Sequence, residues 1–347
     1  MLSSRAITVV AAHAEGEVGR VITGGVLPPP GRTVAERRDW LKANDGLRRL
    51  LIREPRGGAF THYNLIVPAS DPEAAAGFVI MEPDDYPPMS GSNALCVATV
   101  LLETGMVPMR EPETRFRLEA PGGTVEVAAD CSGGRCRRVR VTNVPAFVHA
   151  LDLPLAVPGL GQVTVDLAYG GDTFALVDAR TLGFRLERGE ARALVEAGEA
   201  IKAAVNGRYR DRVRHPLHPA ADFVSFVQFT LPVERDAEGR LSGRNTVVIS
   251  PGKLDRSPTG TGCSARLAVL HARGEIGVGE AFVGRSILDT EFHCRIEATT
   301  TVADRPAVVP SIAGRAWITG IHQYLLDPDD PFPEGYTLSD TWYRALE

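Results

Sequence analysis

The stretch DDYPPMSGSNALCVATVLLETG, residues 84–105, decides the fold because a second stretch repeats its layout. Ser90-Gly91-Ser92 falls on Thr259-Gly260-Thr261 at an offset of 169 residues, and the same offset carries Val100 onto Val269, Leu101 onto Leu270 and Gly105 onto Gly274. Each copy has a proline before or beside a hydroxyl-Gly-hydroxyl turn, then three apolar turns of helix, then a glycine suited to a left-handed stop. The offset is close to half of the 347 residues, so the pattern predicts a duplicated fold whose two helices begin at equivalent points and aim their N-termini at one cleft.

Such helix starts have predictable chemistry. The first N–H groups of a helix have no intrahelical partner and together carry roughly half a positive charge. Glycine lets an anion approach that backbone closely, so Gly91, Ser92, Gly260 and Thr261 are candidates to bind a carboxylate. Ser90 and Thr259 stand where a reactive side chain would meet each face of a small anionic substrate. Ser and Thr in this position are most often plain N-caps. A cap, however, does not need a glycine next, a second hydroxyl after it, and the same arrangement half a chain later.

Asp85-Tyr-Pro-Pro-Met-Ser90-Gly-Ser-Asn and Asp255-Arg-Ser-Pro-Thr259-Gly-Thr-Gly-Cys-Ser-Ala-Arg resemble the two signature motifs of the proline racemase superfamily. Other segments agree in order: His13-Ala-Glu-Gly-Glu17, Glu54-Pro-Arg-Gly57, Ala120-Pro-Gly-Gly123, Gly170-Gly-Asp172-Thr-Phe174 and Gly314-Arg-Ala-Trp317. The resemblance implies a diaminopimelate epimerase-like fold, with each domain a curved sheet around a central helix and the active site in the cleft between domains. It also implies a cofactor-independent enzyme of hydroxyproline metabolism, and a homodimer. Racemases and epimerases of this superfamily usually carry cysteine at both motif positions, where this chain has Ser90 and Thr259. A two-base racemase needs groups whose pKa can be brought near the working pH, and an unactivated hydroxyl is a far weaker acid than a thiol. The superfamily's dehydratases resemble this chain in carrying threonine at the second motif. The expectation is therefore a lyase, a trans-3-hydroxy-L-proline dehydratase giving 1-pyrroline-2-carboxylate. Ser90 would be its base and Thr259 would assist loss of the hydroxyl. The alternatives are a 4-hydroxyproline 2-epimerase or proline racemase, and, in another class, a non-catalytic binder of proline-like amino acids. By the same resemblance Asp255 receives the substrate's ring ammonium, and Asp172 borders the substrate.

Composition agrees with a globular α/β (α+β) chain. It is 44% hydrophobic and 23% charged, with 35 glycines and 25 prolines that imply many turns and short strands. A net charge of −5 gives no electrostatic case for nucleic acid or an anionic membrane. Ala6–Ala12 is too short for a signal-peptide core and reads as a first strand, so a cytoplasmic location is the default. Five sparse cysteines do not suggest a disulfide framework, and eight scattered histidines show no metal-ligand spacing, so no metal and no other cofactor is expected. Cys96 and Cys263 read as small apolar residues inside the two helices, with Cys263 an outside candidate for chemistry.

In chain order, periodicity predicts a surface helix over 34–51, strands near 60–67, 77–81, 115–120, 124–128 and 139–142, then strands at 163–167 and 174–178. A charged helix follows over 188–205, with strands at 223–230 and 246–250 before the second motif, and at 287–302 and 307–320 after it. Loss of apolar alternation near Val148 marks the expected boundary. Residues 1–148 with 324–347 would form the domain of the Ser90 motif, and 149–323 that of the Thr259 motif.

Overall fold

The computed structural model describes residues 5–218 and 222–343. It is an α+β protein of two strand-rich units, residues 1–141 with 314–347 and residues 142–313. The first unit runs β1 (Arg5–Ala14), β2 (Glu17–Val18), β3 (Arg20–Gly24), α1 (Val34–Ala43), α2 (Gly46–Ile52), β4 (Tyr63–Val67), β5 (Ala74–Met81), α3 (Gly91–Glu103), β6 (Glu113–Ala120) and β7 (Gly123–Ser132), with β8 (Arg135–Thr142) at its end. The second runs β9 (Ala146–Val157), β10 (Gly161–Tyr169), β11 (Thr173–Asp178), α4 (Ala191–Tyr209), β12 (Phe226–Thr230), β13 (Glu234–Arg235), β14 (Leu241–Ile249), β15 (Lys253–Leu254), α5 (Gly260–Ala272), β16 (Ala281–Arg285), β17 (Glu291–Val302) and β18 (Arg305–Gly314). Strand β19 (Ala316–Leu326) returns to the first unit, antiparallel to β1.

The two units share one wiring. In the first, β3 is parallel to β4 and β5 to β6, while β4 and β5 are antiparallel. In the second, β11 is parallel to β12 and β14 to β16, while β12 and β14 are antiparallel. Parallel neighbours need a long crossover, and each of the four crossovers contains helix: α1 and α2, α3, α4 and α5 in turn. In the second unit β18 pairs with both β17 and β9, which closes the ring of strands.

Helices α3 and α5 sit at equivalent places in this wiring and are enclosed on every side. All residues from Gly91 to Leu102 and from Gly260 to Leu270 are buried. A helix apolar all round, as α3 is, is stable only when other elements surround it. Around α5, Ala265 and Val269 pack on Ala168, Phe174, Leu176, Val247 and Ile249. The outer helices are one-sided instead: α4 buries Leu194, Val195, Ala197, Ile201 and Val205 against Val165, Val227, Phe229 and Val248. In the first unit Val34, Leu41, Leu47 and Leu51 cover Ile22, Leu65 and Val79, and Trp342 is buried in that same core. The Trp342 indole N–H donates to Glu54 Oε1 at 3.2 Å, and the Thr341 hydroxyl donates to the same oxygen at 2.6 Å.

Some element boundaries differ from the sequence expectation. The helix over 34–51 is two helices: Asn44 leaves helical dihedrals at φ −124 and ψ 60 and donates its Nδ2 back to Trp40 O at 2.9 Å, ending α1, and Asp45 precedes α2. The segment near Val148 is the long strand β9. Its alternation is broken where Asp152 takes φ 54 and gives its N–H to Asp166 Oδ1 at 2.9 Å, and Pro154 then faces Thr164 in the ladder. Strand β16 was not foreseen, and the span 307–320 divides at Arg315 between β18 and β19.

Candidate active site

The Ser90 and Thr259 turns both open an enclosed helix, yet neither hydroxyl makes the cap hydrogen bond that its position would suggest. The intrahelical ladders begin with Ala94 N to Ser90 O at 3.0 Å and Cys263 N to Thr259 O at 2.7 Å. The N–H groups of Gly91, Ser92, Gly260 and Thr261 therefore lie ahead of the first rung, at the positive end of each helix.

In the first unit Ser90 has ordinary extended backbone, φ −146 and ψ 122. Its Oγ accepts from Asn93 Nδ2 at 3.0 Å and lies 3.4 Å from Ser92 Oγ. Asn93 is fully buried, and its Oδ1 accepts from Asn64 Nδ2 at 2.7 Å. The same Asn93 nitrogen is 3.4 Å from His62 Nδ1. Gly19 leaves room for this arrangement: a Cβ there would stand 2.9 Å from Cys96 Sγ and 3.0 Å from Asn93 Oδ1.

In the second unit Thr259 has φ 62 and ψ 101. A β-branched residue at positive φ is strained by roughly 1–3 kcal/mol, a conformation that surrounding structure must impose. Here the loop does so from several directions. The Thr259 hydroxyl donates to Asp255 Oδ2 at 2.7 Å, and Thr259 N donates to Ser257 Oγ at 3.1 Å. Ser257 in turn donates to Asp255 Oδ1 from both its N–H, at 2.7 Å, and its hydroxyl, at 2.9 Å. Asp255, Ser257 and Thr259 are all buried. Asn245 Nδ2 holds Pro258 O at 2.7 Å from the strand beneath.

Asp172 belongs to this second group. Its Oδ1 accepts from Thr173 N at 2.7 Å and from the Ser225 hydroxyl, and it is 5% exposed. The loop before it lies on the first turn of α5: a Cβ on Gly170 would meet Thr261 O at 2.2 Å and Ala265 N at 2.4 Å. Asn143 Nδ2 ties the two together through Gly170 O at 2.8 Å and Ser264 Oγ at 3.0 Å. The expected site residues thus fall into two groups, Ser90, Gly91 and Ser92 in the first unit and Asp172, Asp255, Thr259, Gly260 and Thr261 in the second.

Several participants were not read from the sequence. His62, Asn64 and Asn93 back Ser90, with Glu17 Oε1 at 3.6 Å from His62 Nε2 and Glu82 Oε1 at 3.6 Å from His62 Nδ1. Asn64 carried a usable signal, being a polar residue inside the otherwise apolar run Tyr63-Asn-Leu-Ile-Val67. His13 accepts from Gly16 N at 3.2 Å and stacks on Trp317, so it closes a turn. Cys96 and Cys263 are fully buried, and burial raises the Cys96 thiol well above its usual range. Among the described residues no cluster of three or more His, Cys, Asp or Glu side chains could hold a metal, and no helix is long and apolar enough to cross a membrane.

The sequence profile of the proline racemase family matches residues 9–337, a span that holds both turns. The chain belongs to the proline racemase family. It is similar to a hydroxyproline epimerase from Agrobacterium vitis, whose crystal structure has bound trans-4-OH-L-proline: 45% identity, 99% of this chain and 98% of that one covered, TM-score 0.92. It is similar to a probable proline racemase from Agrobacterium radiobacter K84 with bound carbonate, at 44% identity, 97% and 98% coverage and TM-score 0.91. A PhzF-family phenazine biosynthesis protein from Bacillus anthracis shares only the fold, at 9% identity, 93% and 100% coverage and TM-score 0.57.

These relatives overturn the dehydratase expectation. Proteins 44–45% identical over nearly the whole chain are an epimerase and a probable racemase, not a hydro-lyase, so the lyase reading of Ser90 and Thr259 is withdrawn. The sequence reading took each hydroxyl as unassisted, whereas the Thr259 hydroxyl donates to the buried Asp255 carboxylate.

Proposed function

We propose that the protein is an isomerase that inverts the α-carbon of a cyclic imino acid of the hydroxyproline class. The observation that carries this reading is the near-full-length similarity to a hydroxyproline epimerase with bound trans-4-OH-L-proline. The site geometry supplies a way for hydroxyls to do the work of thiols. Thr259 Oγ1 takes the Cα proton as its own hydroxyl proton passes to Asp255 Oδ2 along the 2.7 Å hydrogen bond. Ser90 returns a proton to Cα, and the oxygen it leaves is stabilised by the Asn93 N–H and the positive end of α3. In the reverse direction Ser90 takes the proton and Thr259 gives one back.

The N–H groups of Gly91, Ser92, Gly260 and Thr261 bind the substrate carboxylate and the enediolate-like charge that builds on it. Asp255 and Asp172 are the anions that answer the ring ammonium. The test is incubation with trans-4-hydroxy-L-proline in D₂O. The expected product is its C2 epimer with deuterium at Cα, seen by NMR. Loss of water from any hydroxyproline isomer, or no Cα exchange with proline or its hydroxy derivatives, would overturn the reading.

A further inference from the structure

Behind Ser90 lies a buried polar network of which the reaction as derived above uses only the Asn93 N–H. His62 and Glu17 are each 1% exposed, Glu82 is 6%, and Asn64 and Asn93 are fully buried. Burying this many polar groups costs stability unless their hydrogen-bond geometry is well satisfied, so their orientations are tightly coupled.

The orientations can be followed outward from the backbone. Asn64 Nδ2 faces two acceptors, Arg20 O at 3.3 Å and Asn93 Oδ1 at 2.7 Å. This fixes the Asn93 oxygen toward Asn64 and its nitrogen toward Ser90. That nitrogen has two hydrogens and two neighbours, Ser90 Oγ at 3.0 Å and His62 Nδ1 at 3.4 Å. For His62 to accept there, Nδ1 must carry a lone pair and the ring proton must sit on Nε2, which faces Glu17 Oε1 at 3.6 Å. Glu82 Oε1 is 3.6 Å from Nδ1 and competes by favouring a proton on it. A protonated Nδ1 repels the Asn93 amide hydrogen and turns to Glu82.

We propose that His62 is a positioning residue for Ser90: its Nδ1 lone pair holds one Asn93 N–H so that the other is aimed at Ser90 Oγ, tuning that hydroxyl for proton transfer on its face of the substrate. This rests on the isomerase reading above. Glu17 on β2 faces His62 Nε2 and Glu82 after β5 faces His62 Nδ1. Arg48 of α2 donates to Glu82 O at 3.2 Å, and the Cys96 thiol of α3 feels the charge of Glu17.

The experiment measures Cα–H exchange in D₂O for trans-4-hydroxy-L-proline and for its C2 epimer, cis-4-hydroxy-D-proline, each recovered as unconverted substrate. In a two-base enzyme each epimer is deprotonated by one group only. His62→Gln places its amide near the Nε2 position and leaves no acceptor at Nδ1, whereas His62→Asn keeps an oxygen there. His62→Gln should slow exchange of one epimer by about tenfold or more through kcat, with KM and the other epimer little changed, and His62→Asn should recover most of it. Glu82→Gln removes the carboxylate that favours a proton on Nδ1, so the acid limb of that same epimer's exchange should move to lower pH. Equal slowing of both epimers by His62→Gln, no advantage for His62→Asn, or an unmoved acid limb in Glu82→Gln each overturns the proposal while leaving the isomerase reading intact. No deuterium at Cα of either the recovered substrate or its epimer with the native protein sinks both.

Discussion

The Ser90 and Thr259 turns occupy the same place in two copies of one wiring, and they differ in what their hydroxyls touch. Ser90 has relaxed extended backbone and receives a hydrogen bond from an amide; Thr259 is strained at φ 62 and gives one to a carboxylate. An amide N–H pointed at an oxygen stabilises negative charge there and helps it release a proton. A carboxylate beside a hydroxyl helps it accept one. The two turns share the helix start and the glycine that follows, and they differ in the sense of the hydrogen bond made at the hydroxyl.

The largest effects should come from breaking the Thr259 side. Asp255→Asn removes the proton acceptor while leaving an oxygen for the Ser257 donors, and Thr259→Val removes the hydroxyl while keeping the β-branched shape. Each should lower isomerisation by about 10²- to 10⁴-fold, the range of a positioned acid or base. Because the two act as a unit, the double variant should be little worse than either single one. Additive losses in steady-state rates would show that Asp255 works independently of Thr259.

Ser90→Ala should cost activity on a similar scale but leave stability nearly untouched. A capping hydroxyl is worth about 1 kcal/mol, and Thr33 is such a cap: its Oγ1 accepts from Glu36 N at 3.1 Å at the start of α1. Ser90 makes no such bond. Urea unfolding should thus give Thr33→Ala a loss of about 1 kcal/mol and Ser90→Ala less than about 0.5. The reverse order would return Ser90 to the role of an ordinary cap.

What could be read from the sequence follows from which contacts are local. Helix starts, their glycine stops and the 169-residue offset are written in adjacent residues, so the duplicated α+β plan and the two turns were legible. The proton partners were not. The Thr259–Asp255 bond depends on a loop conformation that no periodicity encodes, and His62 meets Asn93 across 31 residues, from the entry of β4 to the first turn of α3. The lyase expectation rested on the motif letters alone, and the relatives overturn it. Motif letters show a hydroxyl in place of a thiol, but only packing shows whether a carboxylate stands behind it. Strand β9 was missed for a related reason, since the bulge at Asp152 and the proline after it erase the alternation that identifies a strand.

Backbone strain gives a smaller test that separates the turns by sign. At Thr259, glycine relieves positive φ and alanine does not, so Thr259→Gly should be more stable than Thr259→Ala by about 1 kcal/mol. At Ser90 the extended φ suits any residue, so Ser90→Gly should be no more stable than Ser90→Ala, because glycine loses more chain entropy on folding. Equal ordering at both positions in thermal melts would remove the strained conformation from the account.

The smallest expected effect is none at all, and it concerns sulfur. Cys263 lies one turn past Thr259, fully buried, with its Sγ 3.2 Å from Pro258 O, and Gly284 packs so closely that a Cβ there would stand 2.5 Å from that sulfur. All five cysteines are buried, and burial pushes the Cys136 thiol up to about 12. A thiol without water access reacts slowly with alkylating agents. Iodoacetamide should therefore leave the rate of the native enzyme unchanged, and Cys263→Ala should isomerise at close to the native rate. If the reagent abolished activity and Cys263→Ala abolished it too, the proton on that face would belong to sulfur. The contrast between an amide-backed serine and a carboxylate-backed threonine would then describe only the surroundings of the reaction.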